Sequence, residues 1–201
     1  MKAVLFDLDG VLVDACEWHY EALNRALKDV VNYTIDRDSH EKIYNGIPTL
    51  TKLSILKEMG IIREEDFTKI SDLKQWYTIQ VINDFCTESV TKIALMKLLK
   101  AEGYKLGCVT NSIRKTAELM LERSGILEYM DILITNEDSV NHKPHPEQYI
   151  QALVFLNTLP KNAIIVEDSP KGLQAARLTG SRVFQVKNST EVTKELFKDK
   201  L

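Results

Sequence analysis

Four sets of polar residues follow apolar runs in this chain: Asp7 with Asp9, Thr110-Asn111-Ser112, Lys143, and Glu167 with Asp168. A carboxylate at the edge of a hydrophobic core costs free energy unless a cation or hydrogen-bond donors pair with it. Asp7, Asp9, Glu167 and Asp168 would together concentrate up to four negative charges. Such a cluster either takes up protons or binds a cation. Oxygen ligands on short loops, with room for water, suit Mg²⁺. Thr110 and Lys143 bring the opposite chemistry. A hydroxyl, backbone N–H groups at a helix start and an ammonium make a phosphate-binding set. A carboxylate nucleophile, a second carboxylate, Mg²⁺ and a phosphate cradle make phosphoryl transfer the natural reaction.

These sets meet only if one scaffold brings their loops together. Five short β-rich runs, at 2–8, 105–110, 131–135, 163–167 and 181–186, are mostly apolar rather than alternating. Continuous rather than alternating apolar character suits strands buried on both faces. Segments of helical period separate the last four runs, at 115–122, 147–156 and 171–178. Pro146 and Pro170 stand at helix starts, and Gly103, Gly125 and Gly180 at ends. This alternation predicts an α/β fold, a doubly wound parallel sheet with helices on both faces. Ligands bind at the carboxyl edge of such sheets. The polar sets fall there: Asp7 and Asp9 after the first strand, Thr110 to Ser112 after the second, Lys143 in the loop after the third, Glu167 and Asp168 ending the fourth.

Residues 15–85 show helical patterns alone, at 18–30, 50–59 and 67–85. About 70 residues is too long for an ordinary crossover, so the spacing predicts an inserted α-helical cap domain. The core domain is then 1–14 with 86–201, and the cap 15–85. Trp18 and Trp76 are expected in the cap core. Asp14 is expected to cap the first cap helix or to act as a hinge.

Apolar residues make up 44% of the 201, enough for a core without disulfides. The net charge of −3, with no basic block, gives no reason to expect nucleic acid or an anionic membrane as partner. No run reaches the roughly 18 apolar residues of a membrane span, and the first apolar run breaks at Asp7, unlike a signal peptide. Cys16, Cys86 and Cys108 are dispersed, as free thiols of a reducing compartment are. A cytoplasmic monomer acting on a small molecule is expected.

FDLDGVLVD, VTNS, HKP and VEDSPKG, in this order, resemble the four motifs of the haloacid dehalogenase-like phosphatases. The helical insert resembles the cap of the subgroup holding β-phosphoglucomutase and phosphoglycolate-type phosphatases. The resemblance implies a Rossmann-like core and an Asp7 nucleophile that becomes an aspartyl-phosphate. It makes Asp9 the acid that protonates the leaving alcohol and the base that activates water. It places Mg²⁺ on Asp7, the Asp9 carbonyl, Glu167 and Asp168, and phosphoryl oxygens on Thr110, Asn111 and Lys143. His19 matches a histidine some members carry, and Asn45-Gly46-Ile47-Pro48-Thr49 a substrate-selecting cap loop. Mutase-like members carry basic residues around that glycine, where this chain has Asn45 and Thr49. The expectation is a Mg²⁺-dependent phosphatase of a phosphorylated metabolite such as a sugar phosphate, with a sugar-phosphate mutase as the alternative.

Overall fold

The computed structural model describes residues 2–198. Five parallel strands, β1 (Lys2–Phe6), β2 (Tyr104–Val109), β3 (Ile132–Ile134), β4 (Ala163–Glu167) and β5 (Arg182–Gln185), form one sheet in the order β3-β2-β1-β4-β5. β1 is central, and Ala3 to Phe6 are fully buried. Ala3 and Leu5 face a core with Val109, Tyr149, Leu153 and Ile165. Side chains alternate along a strand, and Phe6 meets Phe197 edge-on instead. Gly107 in β2 is required by this packing, since a Cβ there would lie 2.7 Å from Leu5 and 2.9 Å from Ile132.

Three strands, β1, β3 and β5, are shorter than the apolar runs they occupy. β1 stops at Phe6, although the Asp7 N–H still donates to the Val166 carbonyl (3.0 Å). The apolar residues after Asp9 form a tight turn: Val11, Leu12 and Val13 all donate to the Leu8 carbonyl, and Gly10 donates to that of Val13.

The described residues of Met1–Asp14 and Cys86–Leu201 form one compact unit, and Ala15–Phe85 another. The second is helical, with α1 (Cys16–Val31), α2 (Arg37–Ser39) running into a π-helical turn (His40–Tyr44), α3 (Thr49–Glu58) and α4 (Phe67–Phe85). Leu23, Leu27, Ile35, Tyr44, Leu53, Leu56 and Ile70 make its core. The Asn24 side chain grips the incoming chain, donating to the Ile35 carbonyl (3.0 Å) and accepting from the Ile35 N–H (2.8 Å). One expectation fails here, and so does the capping alternative of another. Trp76 is 55% exposed rather than core, lying edge-on to Tyr77. Asp14 does not cap α1, whose N-cap is Ala15 with no side-chain bond.

In the first unit, α5 (Val90–Ala101) occupies a stretch to which periodicity assigned no element. α6 (Arg114–Arg123), α7 (Glu147–Phe155), α8 (Pro170–Leu178) and α9 (Lys194–Phe197) complete it. Among the described residues, no helix is long and apolar enough to cross a membrane.

Candidate functional site

β1, β2 and β4 point their carboxyl ends the same way, and the loops there gather the charged residues. Lys143 is their hub. It is 5% exposed, and its Nζ donates to Asp7 Oδ1 (2.8 Å), Glu167 Oε1 (2.6 Å) and the Val109 carbonyl (2.8 Å). All three donors of the ammonium are thereby used. Asn111 holds the Lys143 backbone from both sides, accepting from its N–H (3.2 Å) and donating to its carbonyl (3.4 Å).

Glu167 is fully buried. Besides Lys143 it accepts from the Tyr149 hydroxyl (2.6 Å), the Asp168 N–H (3.1 Å) and the Ser169 hydroxyl (3.4 Å). The first turn of α8 opens to admit it. A Cβ on Gly172 would sit 1.9 Å from Glu167 Oε1. Gly10 does the same for Asp168, since a Cβ would fall 2.2 Å from its Oδ2, and its φ of +85° suits glycine.

Asp7, Glu167 and Asp168 each bring a carboxylate oxygen within 4.8 Å of the others. Burial, reinforced by Glu167, pushes the Asp7 pKa well above the usual carboxylate range, with Lys143 opposing. Burial and Glu167 likewise push Asp168 up to about 6. Burial would lower the Lys143 pKa, but the carboxylates of Asp7 and Glu167 outweigh it and hold the ammonium charged. One ammonium among three carboxylates leaves a deficit of positive charge. Asp168 Oδ1 is buried without a hydrogen-bond partner. A small divalent cation fits this donor set, since carboxylate oxygens are what Mg²⁺ prefers.

The Asp9 carboxylate turns elsewhere. Its Oδ2 accepts from the Ser112 hydroxyl (2.8 Å) and the Thr110 hydroxyl (3.3 Å). His19, Asn45, Gly46 and Thr49 lie in the 15–85 unit. There His19 Nδ1 is 3.3 Å from Lys74 Nζ, Asn45 and Gly46 are exposed, and Thr49 is half-buried at the start of α3.

Two residues of the cluster, Tyr149 and Gln148, were invisible as such in the sequence. Tyr149 reads as one more apolar residue on a helix face, although a buried phenol must find a partner. Gln148, fully buried, donates to the carbonyls of Thr110 and Thr135 and ties two loops together. Ser112 carries a faint signal, standing two residues after Thr110 in the same turn.

The family model described as haloacid dehalogenase-like hydrolase matches residues 4–186. A phosphorylated carbohydrates phosphatase of Thermotoga maritima is 31% identical over 201 residues, covering 98% of this chain and 90% of that relative. A phosphoglycolate phosphatase of Colwellia psychrerythraea is 30% identical, covering 88% and 80%. Among solved structures, a β-phosphoglucomutase from Clostridium difficile shares the fold with a TM-score of 0.85 at 24% identity, covering 99% of this chain and 96% of that one.

Proposed function

This chain belongs to the haloacid dehalogenase-like hydrolase family, and on that premise we propose that it is a Mg²⁺-dependent cytoplasmic phosphatase acting as a monomer. Its substrate is a small phosphorylated metabolite, a sugar phosphate or similar monoester, as the names of the two phosphatase relatives suggest. The observation that carries the reading is the buried Asp7 carboxylate at the sheet edge, bonded to Lys143 and flanked by Glu167 and Asp168.

Asp7 attacks phosphorus and the bond to the leaving oxygen breaks, forming an aspartyl-phosphate. Asp9 gives the leaving oxygen its proton. It then takes one from water, which attacks the same phosphorus, frees phosphate and restores Asp7. Lys143 keeps a positive charge against the incoming dianion, and Glu167 and Tyr149 keep Lys143 in place. Asp7, Glu167, Asp168 and the Asp9 carbonyl would hold Mg²⁺, which offsets repulsion between the nucleophile and the phosphate. Thr110 and Asn111 complete the phosphate cradle. We assign the choice of substrate to the 15–85 unit, as a cap, and within it to His19, Asn45, Gly46 and Thr49.

A screen of sugar phosphates, phosphoglycolate and nucleotides, with and without chelator, tests the reading. Metal-independent turnover would overturn it. Neutral Asn45 and Thr49 favour hydrolysis over transfer to a second sugar phosphate. A charge-assisted phosphate contact contributes about 1.5–3 kcal/mol, which a bisphosphate intermediate would lose at each. Incubation with β-glucose 1-phosphate and trace glucose 1,6-bisphosphate decides between them: isomerisation outpacing phosphate release would make the mutase reading the right one.

A further inference from the structure

The turn after β2 does more than cradle phosphate. The Ser112 N–H donates to Thr110 Oγ1 (3.0 Å), Thr110 Oγ1 donates to Asp9 Oδ2 (3.3 Å), and Ser112 Oγ donates to the same oxygen (2.8 Å). The three residues thus close a ring of hydrogen bonds around one carboxylate oxygen. The turn is pinned from outside, since the Thr110 N–H donates to the Ile134 carbonyl (2.9 Å) and the Asn136 N–H to that of Ser112 (3.2 Å). Gln148 holds the Thr110 carbonyl as well. Neither hydroxyl can follow Asp9 far, so a rotation of the Asp9 side chain loses bonds.

From this geometry we infer that Ser112 is a positioning residue that aims Asp9, the shorter of its two hydroxyl contacts being the one from Ser112. The inference rests on the reading of Asp9 as the proton-transferring group. A carboxylate anchored through one oxygen presents the other in a fixed direction. Proton transfer to a leaving oxygen demands hydrogen-bond reach in the transition state, and loose placement at an active site is expensive in rate. The position two residues after the phosphate-binding Thr110 would then serve the acid rather than the phosphate.

Leaving-group dependence separates these roles. p-Nitrophenolate departs readily without a proton, whereas phenolate departs far better with one. In the metal-loaded full-length enzyme, Ser112→Ala should lower kcat/KM for phenyl phosphate about tenfold more than for p-nitrophenyl phosphate, a part of the 10²–10⁴ that a positioned acid contributes. Ser112→Thr, which keeps the hydroxyl, should restore the wild-type ratio. Ser112→Cys, close in shape and a weak donor, should fall between them and serves where the alanine variant folds poorly. Equal losses on both esters would mean that Ser112 binds phosphate or merely supports the turn, and the inference would be wrong. Asp9→Asn is the reference. If it discriminates between the esters and the Ser112 variants do not, the Ser112 inference alone falls. If Asp9→Asn does not discriminate, the Asp9 assignment falls and takes the inference with it.

Discussion

Replacing Gly172 by alanine sets two effects of opposite sign against each other. Gly172 lies within α8, where helix propensity alone would make alanine more stable by about 0.8–1 kcal/mol. The new Cβ, however, would stand 1.9 Å from Glu167 Oε1, 2.1 Å from its carboxyl carbon and 2.2 Å from Oε2. Contacts that short cannot be absorbed by small adjustments. Glu167 is fully buried and held by Lys143, Tyr149, Ser169 and the Asp168 N–H, so its side chain has no free direction in which to retreat. If the carboxylate swings out, Lys143 keeps only Asp7 and a carbonyl, and Tyr149 loses its acceptor. Breaking a buried ion pair costs about 3–5 kcal/mol. Less the propensity gain, a net loss of roughly 2–4 kcal/mol remains. At about 2–4 °C per kcal/mol for a chain of this size, Tm should fall by roughly 5–15 °C. Thermal unfolding followed by circular dichroism reads this directly. Gly180→Ala, at a positive φ of +76° with nothing within 4 Å, is the control. It should lose only about 1–2 kcal/mol, from backbone strain. A Gly172→Ala protein as stable as the parent, with turnover intact, would show that Glu167 is not confined as described.

Asp7→Asn should abolish turnover while Tm holds or rises, because it removes a buried carboxylate whose pKa is already pushed up; steady-state activity above a tenth of the parent's would refute the nucleophile assignment. Hydrolysis of a chromogenic phosphate ester should vanish after exhaustive chelation, return with Mg²⁺ and be inhibited by Ca²⁺, which takes more ligands at longer distances. His40 offers a pH test in the 15–85 unit, where burial and then the Lys52 charge lower its pKa from 6.5 to about 4. Between those values the unfolded chain binds a proton that the folded one does not, so stability is full above pH 6.5 and falls on acidification towards 4. The effect should be on the order of 2 kcal/mol once solvent screening is allowed for. Urea midpoints at pH 4.5 and 7 for the parent and His40→Leu read it, and equal pH dependence in both would count against it.

The parallel sheet was legible because its inner strands β1, β2 and β4 are buried on both faces and therefore mostly apolar, while the edge strands β3 and β5 are only partly buried. The candidate site was legible in part because Asp7, Asp9, Glu167 and Asp168 stand where the apolar runs stop. α5 was not, because Ile93 to Leu99 is nearly all apolar around Ala94 and Lys97, with no clean stripe to declare a period. Trp76 misled because size and hydrophobicity do not record which side of α4 faces solvent. Which side chain Asp9 bonds was equally hidden. Thr110 and Ser112 reach it across about 100 residues of sequence, and nothing local marks such a pair. Gly172 resembles any helix glycine until the carboxylate opposite it is known.

The central position of β1 has a consequence for biosynthesis. Ala3 pairs with Lys105 on one side and with Ala163 on the other, so the strand made first must wait for most of the chain before its second partner exists. At about 5–20 residues per second, the ribosome needs roughly ten to thirty seconds to supply the second partner. During that interval KAVLF is an apolar segment with an unpaired edge, the kind that recruits a neighbouring nascent chain. The 15–85 helices emerge in the meantime, and their contacts are local enough to form early. Misassembly in the cell should therefore concentrate in β1, and slower translation beyond residue 110 should increase the demand for chaperones.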